Sequence, residues 1–177
     1  MAASACAANY NGLMVALRYA YLLALVVWVG GLLALGGIAA PAISASLTDA
    51  HGMAGRELAG LAFGAVLRRF HVAAYVSAGV MVLSLMGMAA LGPRPSRFAV
   101  RLAIVVAMGA LTLYSGLAVS GRVERLRREI GGPVAALPES DARRAELGRL
   151  HGISTSLLGI TVAGGLALLY LEARTND

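Results

Sequence analysis

Along the chain, apolar positions gather into four near-continuous stretches, residues 19–44, 71–91, 100–120 and 150–171, each about long enough to cross the hydrocarbon layer of a bilayer as a helix. None alternates apolar with polar residues as a barrel strand does. In hydrocarbon every backbone group must pair within its own segment, so the pattern predicts α-helices. Gly92-Pro93-Arg94-Pro95 ends the second stretch, because proline cannot donate to a continuing helix and restrains the residue before it. That short connection predicts antiparallel neighbours. Beyond the third stretch, residues 121–130 place Glu124 with Arg128 and Arg125 with Glu129 at i,i+4, a solvated helical continuation that Gly131-Gly132-Pro133 breaks. From Ser140 or Asp141 a polar helical turn leads into the last stretch. In the first loop Leu58, Leu61, Ala62, Ala65 and Phe70 recur at helical spacing, which fits either a helix in the headgroup region or an extension of the second span. The expected fold is all-α: one domain, residues 1–177, forming a four-helix transmembrane bundle of up-down topology with short interfacial helices in the cytoplasmic loops.

Composition supports the bilayer as the chain's main partner. Hydrophobic residues make up 59% and charged residues 14% of the 177, with mean hydropathy +0.76, whereas a soluble domain carries about 25% charged residues. A soluble enzyme is not expected on that ground. The net charge of +6 rests on arginine alone, and these arginines sit in short loops between apolar stretches, so membrane topology accounts for them and nucleic acid is not an expected partner. Ten arginines fall in the first and third loops and five on the opposite side, which predicts cytoplasmic loops one and three with both termini outside. The absence of lysine points to a GC-rich bacterial source, and hence to a multi-pass protein of the bacterial inner cell membrane. The N-terminus lacks the basic start of a secretory signal, so the first stretch is expected to be a retained span. Cys6 is the only cysteine, and a disulfide or cysteine-based zinc site within one chain is excluded.

Candidate chemistry centres on two histidines. Leu67-x-Arg69-Phe70-His71 and Leu147-x-Arg149-Leu150-His151 match in phase and depth, followed by Gly79 with Gly159 and Val82 with Val162, as a parallel duplication of a helical hairpin would produce. His71 and His151 then open two helices that run the same way. Three roles are open to the pair: hydrogen-bonding a solute, binding a metal such as copper or the iron of haem b, or bonding locally to loop carbonyls or to Tyr75 and Thr155. Zinc needs more protein ligands than two histidines supply, and His51 is read as a solvated loop residue. Met81, Met86, Met88 and Met108 offer soft sulfur to Cu(I), but methionines of apolar helices ordinarily pack. No cofactor is the leading expectation. No Asp or Glu falls inside the four stretches, which argues against a proton relay or ion channel, and no catalytic motif appears, so the chain is not expected to be an enzyme. Gly30, Gly31, Gly36 and Gly37 give the first helix a face for close packing. Trp28 lies too deep for an interfacial belt; it either packs or borders a groove completed by Ser77, Ser84, Thr112 or Ser115 that would accept an amphipathic ligand.

Taken together, Trp28-x-Gly30-Gly31 with Ala40-Pro41, Ala54-Gly55-x-x-x-Ala59-Gly60-x-x-Phe63, Arg69-Phe70-His71 and Leu150-His151-Gly152-Ile153-Ser154 resemble the transmembrane protein 205-like family, also catalogued as domain of unknown function 4149. The resemblance implies a four-helix multi-pass protein, in a family whose animal member is associated with resistance to platinum drugs. It marks His71, His151, Gly152, Ser154 and Trp28 as family landmarks without assigning them roles. Trp28-Val29-Gly30-Gly31-Leu32 is also similar to part of the copper-resistance D-type membrane domain. The functional expectation is a resistance- or transport-related protein that binds a small amphipathic or soft-metal solute. The alternatives are a haem b or copper protein using His71 and His151, and a non-catalytic accessory subunit of a larger membrane complex or homo-oligomer.

Overall fold

A computed structural model describes residues 2–92 and 94–174. Helix α1 (Ala2–Ala34) passes through a π-helical turn, Leu35–Ala39, directly into α2 (Ala40–Leu91). Helix α3 (Phe98–Leu113) passes through a second π turn, Tyr114–Val119, into the polar α4 (Ser120–Ile130). After a single 3-10 turn, Val134–Ala136, the chain closes with α5 (Ala142–Ala173), and no strand occurs among the described residues.

Three helical runs among the described residues are long and apolar enough to cross a membrane: Tyr10–Leu91, Phe98–Ile130 and Ala142–Ala173. The apolar pattern predicted four, and the difference lies in the first run, which joins the stretches 19–44 and 71–91 without a loop. Its direction changes at Gly52, where φ is 59° and ψ is −130°, a backbone state open only to glycine. Gly55 completes the bend, since a Cβ there would collide with the carbonyl oxygen of Leu47. As a result, the two arms run back along each other. Leu17 touches the position of a Cβ on Gly87 at 3.2 Å, Phe70 covers Gly31, and the Tyr10 hydroxyl covers Gly92.

The loops differ from the expected interfacial helices. Residues 53–70 are the first half of the α2 arm, and α4 continues α3, because no proline or left-handed glycine separates either from its span. Helix α2 ends at Gly92 and α4 ends at Gly131, whose φ of 64° and N–H bond to the Arg127 carbonyl at 3.2 Å form a left-handed C-terminal cap. Asp141 caps α5, its carboxylate accepting from the Arg143 N–H at 2.8 Å. The charges of α4 also pair outward rather than along the helix: Arg122 binds Glu146 of α5, and Glu124 lies 4.0 Å from Arg68 of α2.

Buried positions recur at helical spacing on each element: Tyr21, Leu25, Trp28 and Leu32; Ala74, Met81, Leu85 and Met88; Val105 and Met108; Leu168. They form one core. On the outside, Ile38, Leu83 and Leu117 are each at least 70% exposed, as an apolar exterior in contact with lipid requires. Between helices in lipid the hydrophobic drive is weak, so close packing at small residues carries the association. Gly165 receives Val29 and Gly164 receives Met108 at 3.1 Å. Of the glycines expected to pack, Gly31 is covered by Phe70 and Gly36 meets Leu158 at 3.8 Å, whereas Gly30, Gly37 and Gly152 have open space beside them.

Candidate functional site

His71 is buried on α2 and faces the π turn after α3. That wide turn brings Gly116 beneath the imidazole: a Cβ on Gly116 would stand 3.3 Å from Cγ and 3.4 Å from Nδ1. Tyr75, one turn further along α2, stacks on His71 with ring centres 6.1 Å apart and planes 13° from parallel, and its hydroxyl also covers Gly116. The pair therefore stacks rather than forming the hydrogen bond the i,i+4 spacing permits. Glycine supplies the floor.

Beside this platform lies a cavity of about 30 Å³, room for one or two waters, lined by Leu32, Leu67, Phe70, His71, Leu111, Thr112, Ser115, Ser154, Leu157, Leu158 and Thr161. Thr112 donates to the Met108 carbonyl at 2.9 Å and Thr161 to the Leu157 carbonyl at 2.8 Å, so these two hydroxyls offer the cavity lone pairs only. His71 and the hydroxyls of Ser115 and Ser154 make no hydrogen bond among the described residues. Both π turns flank the site: Ser115 belongs to the second, and Leu158 rests against Gly36 of the first. Such turns leave helix carbonyls and amides out of register and recur at functional sites.

The sequence candidates thus separate. His71 and Ser154 share the cavity. His151 is exposed, lies outside the lining, and has its carbonyl taken by the Thr155 hydroxyl at 3.0 Å. Trp28 is wholly buried in the core one turn before Leu32, its indole N–H without a hydrogen-bond partner. Thr112 and Ser115, candidates for a groove near Trp28, do face the cavity. Thr161 and Gly116 had no sequence signal beyond helical phase.

A second polar cluster went unread in the sequence. Glu172, one position past the last apolar stretch, is buried and accepts from Arg18 Nε of α1 at 2.7 Å and from Arg101 Nη1 of α3. Arg101 Nη2 also donates to the Leu171 carbonyl at 3.0 Å, and the buried Tyr21 lies beside the group. One carboxylate therefore ties α1, α3 and α5 at the end of the molecule where α2 stops. Only the partners' meeting in space distinguishes it from ordinary terminal charges. No group of three or more His, Cys, Asp or Glu side chains able to hold a metal is found among the described residues.

The family model for a domain of unknown function, DUF4149, matches residues 23–131. The chain belongs to the DUF4149 family. In this DUF4149 protein the match covers most of the α1–α2 hairpin, α3 and α4, and so includes His71, Thr112, Ser115 and Gly116. Ser154 and Thr161, which α5 brings to the same cavity, lie beyond it. No curated protein and no solved structure matches the chain.

Proposed function

We propose that this DUF4149 protein is a non-catalytic, four-pass membrane protein that holds the polar head of a small amphipathic solute at His71, in a role related to transport or resistance. Four crossings follow if the two arms meeting at Gly52 each traverse the bilayer, and the arginine bias then puts the Gly52 bend and the α4–α5 connection on the cytoplasmic side of a bacterial inner membrane. One observation carries the solute reading: a buried imidazole and two serine hydroxyls, none satisfied by protein, face a cavity whose other walls are mainly leucine and phenylalanine. Unmet polar groups in an apolar setting are costly, and a guest's hydroxyl, amine or carbonyl satisfies them while its tail lies along the leucines. The resemblance to the transmembrane protein 205-like family supports resistance as the physiological context. An exposed His151 favours a single-histidine site over bis-histidine haem.

A ten-carbon alcohol carrying a diazirine tests this. Irradiated with the purified protein, it is expected to label peptides containing Leu67, Phe70 and Leu157, and to lose most of that labelling in His71→Leu. Labelling spread evenly over the lipid-facing helices, unchanged by the substitution, rejects the site. In a parallel arm, Cu(I) retained by the wild type but not by His71→Leu would make a soft metal the head group instead, and a Soret band would restore haem.

A further inference from the structure

Three arginines on or beside α4 have partners in the protein. Arg122 is held by Glu146 through bonds of 2.8 and 3.2 Å, Arg143 by Asp141 at 2.7 Å, and Arg144 donates to the Leu137 carbonyl at 3.3 Å. Arg127 differs. It is partly buried, its Nε is closed to solvent without a hydrogen-bond partner, and among the described residues no carboxylate lies within 4 Å of its guanidinium. The side chain reaches across to α2 and lies over Gly60, where a Cβ would stand 2.9 Å from Nη2. Glu57 is one turn away on α2, and Glu124, one turn back on α4, sits nearest Arg68. Arg125 and Arg128, both exposed, add positive potential on the same helix.

A guanidinium drawn partly out of water without a counter-charge destabilises its surroundings unless an anion joins it. Its planar fork matches phosphate oxygens, and glycine beneath it leaves the space that a side chain would fill. We propose that Arg127 over Gly60 is a binding site for a phosphate group, at the end of the molecule that carries the Gly52 bend and the α4–α5 connection. The anion is either the headgroup phosphate of an acidic phospholipid or free phosphate. The site is separate from the His71 cavity and stands or falls independently of it.

Native mass spectrometry of the full chain from micelles doped with phosphatidylglycerol or phosphatidylcholine, paired with thermal melting in inorganic phosphate, decides the matter. Preferential retention of phosphatidylglycerol assigns the lipid, and a melting rise with inorganic phosphate assigns the free anion. In Arg127→Gln the observed effect is expected to weaken about tenfold, the size of a lost charge-assisted hydrogen bond. Arg125→Gln removes the same charge from an exposed position and should change it less than about twofold. Gly60→Ala keeps every charge but displaces the guanidinium, and should weaken binding severalfold even if Arg127→Gln folds poorly. Equal losses in Arg127→Gln and Arg125→Gln, wild-type binding by Gly60→Ala, or no response to either phosphate source overturns the site.

Discussion

The two polar clusters inside this protein solve opposite problems. At the end where α2 stops, the Glu172 carboxylate binds both Arg18 and Arg101 and so joins three helices. Around the cavity, His71, Ser115 and Ser154 share an apolar enclosure yet leave their polar groups unmet. Charges bound to one buried carboxylate resist its removal, because the buried member of the set is then stranded. An open set tolerates change and responds to a guest. One cluster locks helices, and the other waits.

The largest expected effect follows from stranding the lock. Glu172→Gln removes the buried carboxylate that both Arg18 and Arg101 bind, the latter with a side chain 4% exposed, and should cost about 3–5 kcal/mol in detergent unfolding. A loss under about 1 kcal/mol would reduce the cluster to a surface-type pair. Next comes the platform: Gly116→Ala drives a methyl into the Tyr75 hydroxyl and the His71 ring, an overpacking worth about 1–3 kcal/mol, measurable by the same unfolding assay. Gly30→Ala, with nothing within 4 Å, serves as its neutral control.

His71→Leu sharpens the contrast further. If the imidazole is unmet in the absence of a guest, its replacement by leucine should shift stability by less than about 1.5 kcal/mol while labelling by the diazirine alcohol falls. A loss as large as that of Glu172→Gln would mean that His71 is itself structural. The smallest effect belongs outside the membrane, at the start of α5. The Arg143 side chain, followed by its backbone N–H, holds the Asp141 carboxyl down at about 2, and Arg122 lowers that of Glu146. Both groups have folded values below their unfolded ones, so their contribution is complete above the ordinary carboxylate range, near pH 4, and is lost as pH falls below it, for Asp141 as pH passes through about 2. Hydrogen exchange at residues 142–146 should therefore accelerate across that window, and Asp141→Asn should make it insensitive to Asp141's titration. Unaltered protection down to pH 2 would contradict the cap's role.

Much of the helix pattern was visible in advance, because lipid demands long apolar runs with internally paired backbones, and the breaks after residues 91 and 131 rest on glycine and proline chemistry that acts locally. The merging of the first two runs was not visible. Gly52 reads as an unremarkable loop glycine until its positive φ and the Leu47 carbonyl beside Gly55 show how a helical chain turns back without a loop. His71 was recognisable from residue type and depth, and Ser154 from the family resemblance. Their sharing of one cavity, with His151 outside it, depends on the rotation of α5 about its axis.

Hydropathy and breaker residues determined by themselves that this chain is helical, membrane-embedded and divided near Pro95 and Pro133, since those properties follow from each residue's own transfer energy and backbone freedom. Partnership was decided only by the tertiary structure. Arg18 and Glu172 are 154 positions apart, and whether a charge finds its counterpart or a hydroxyl faces a void is set by helix rotation and packing, which no local pattern encodes.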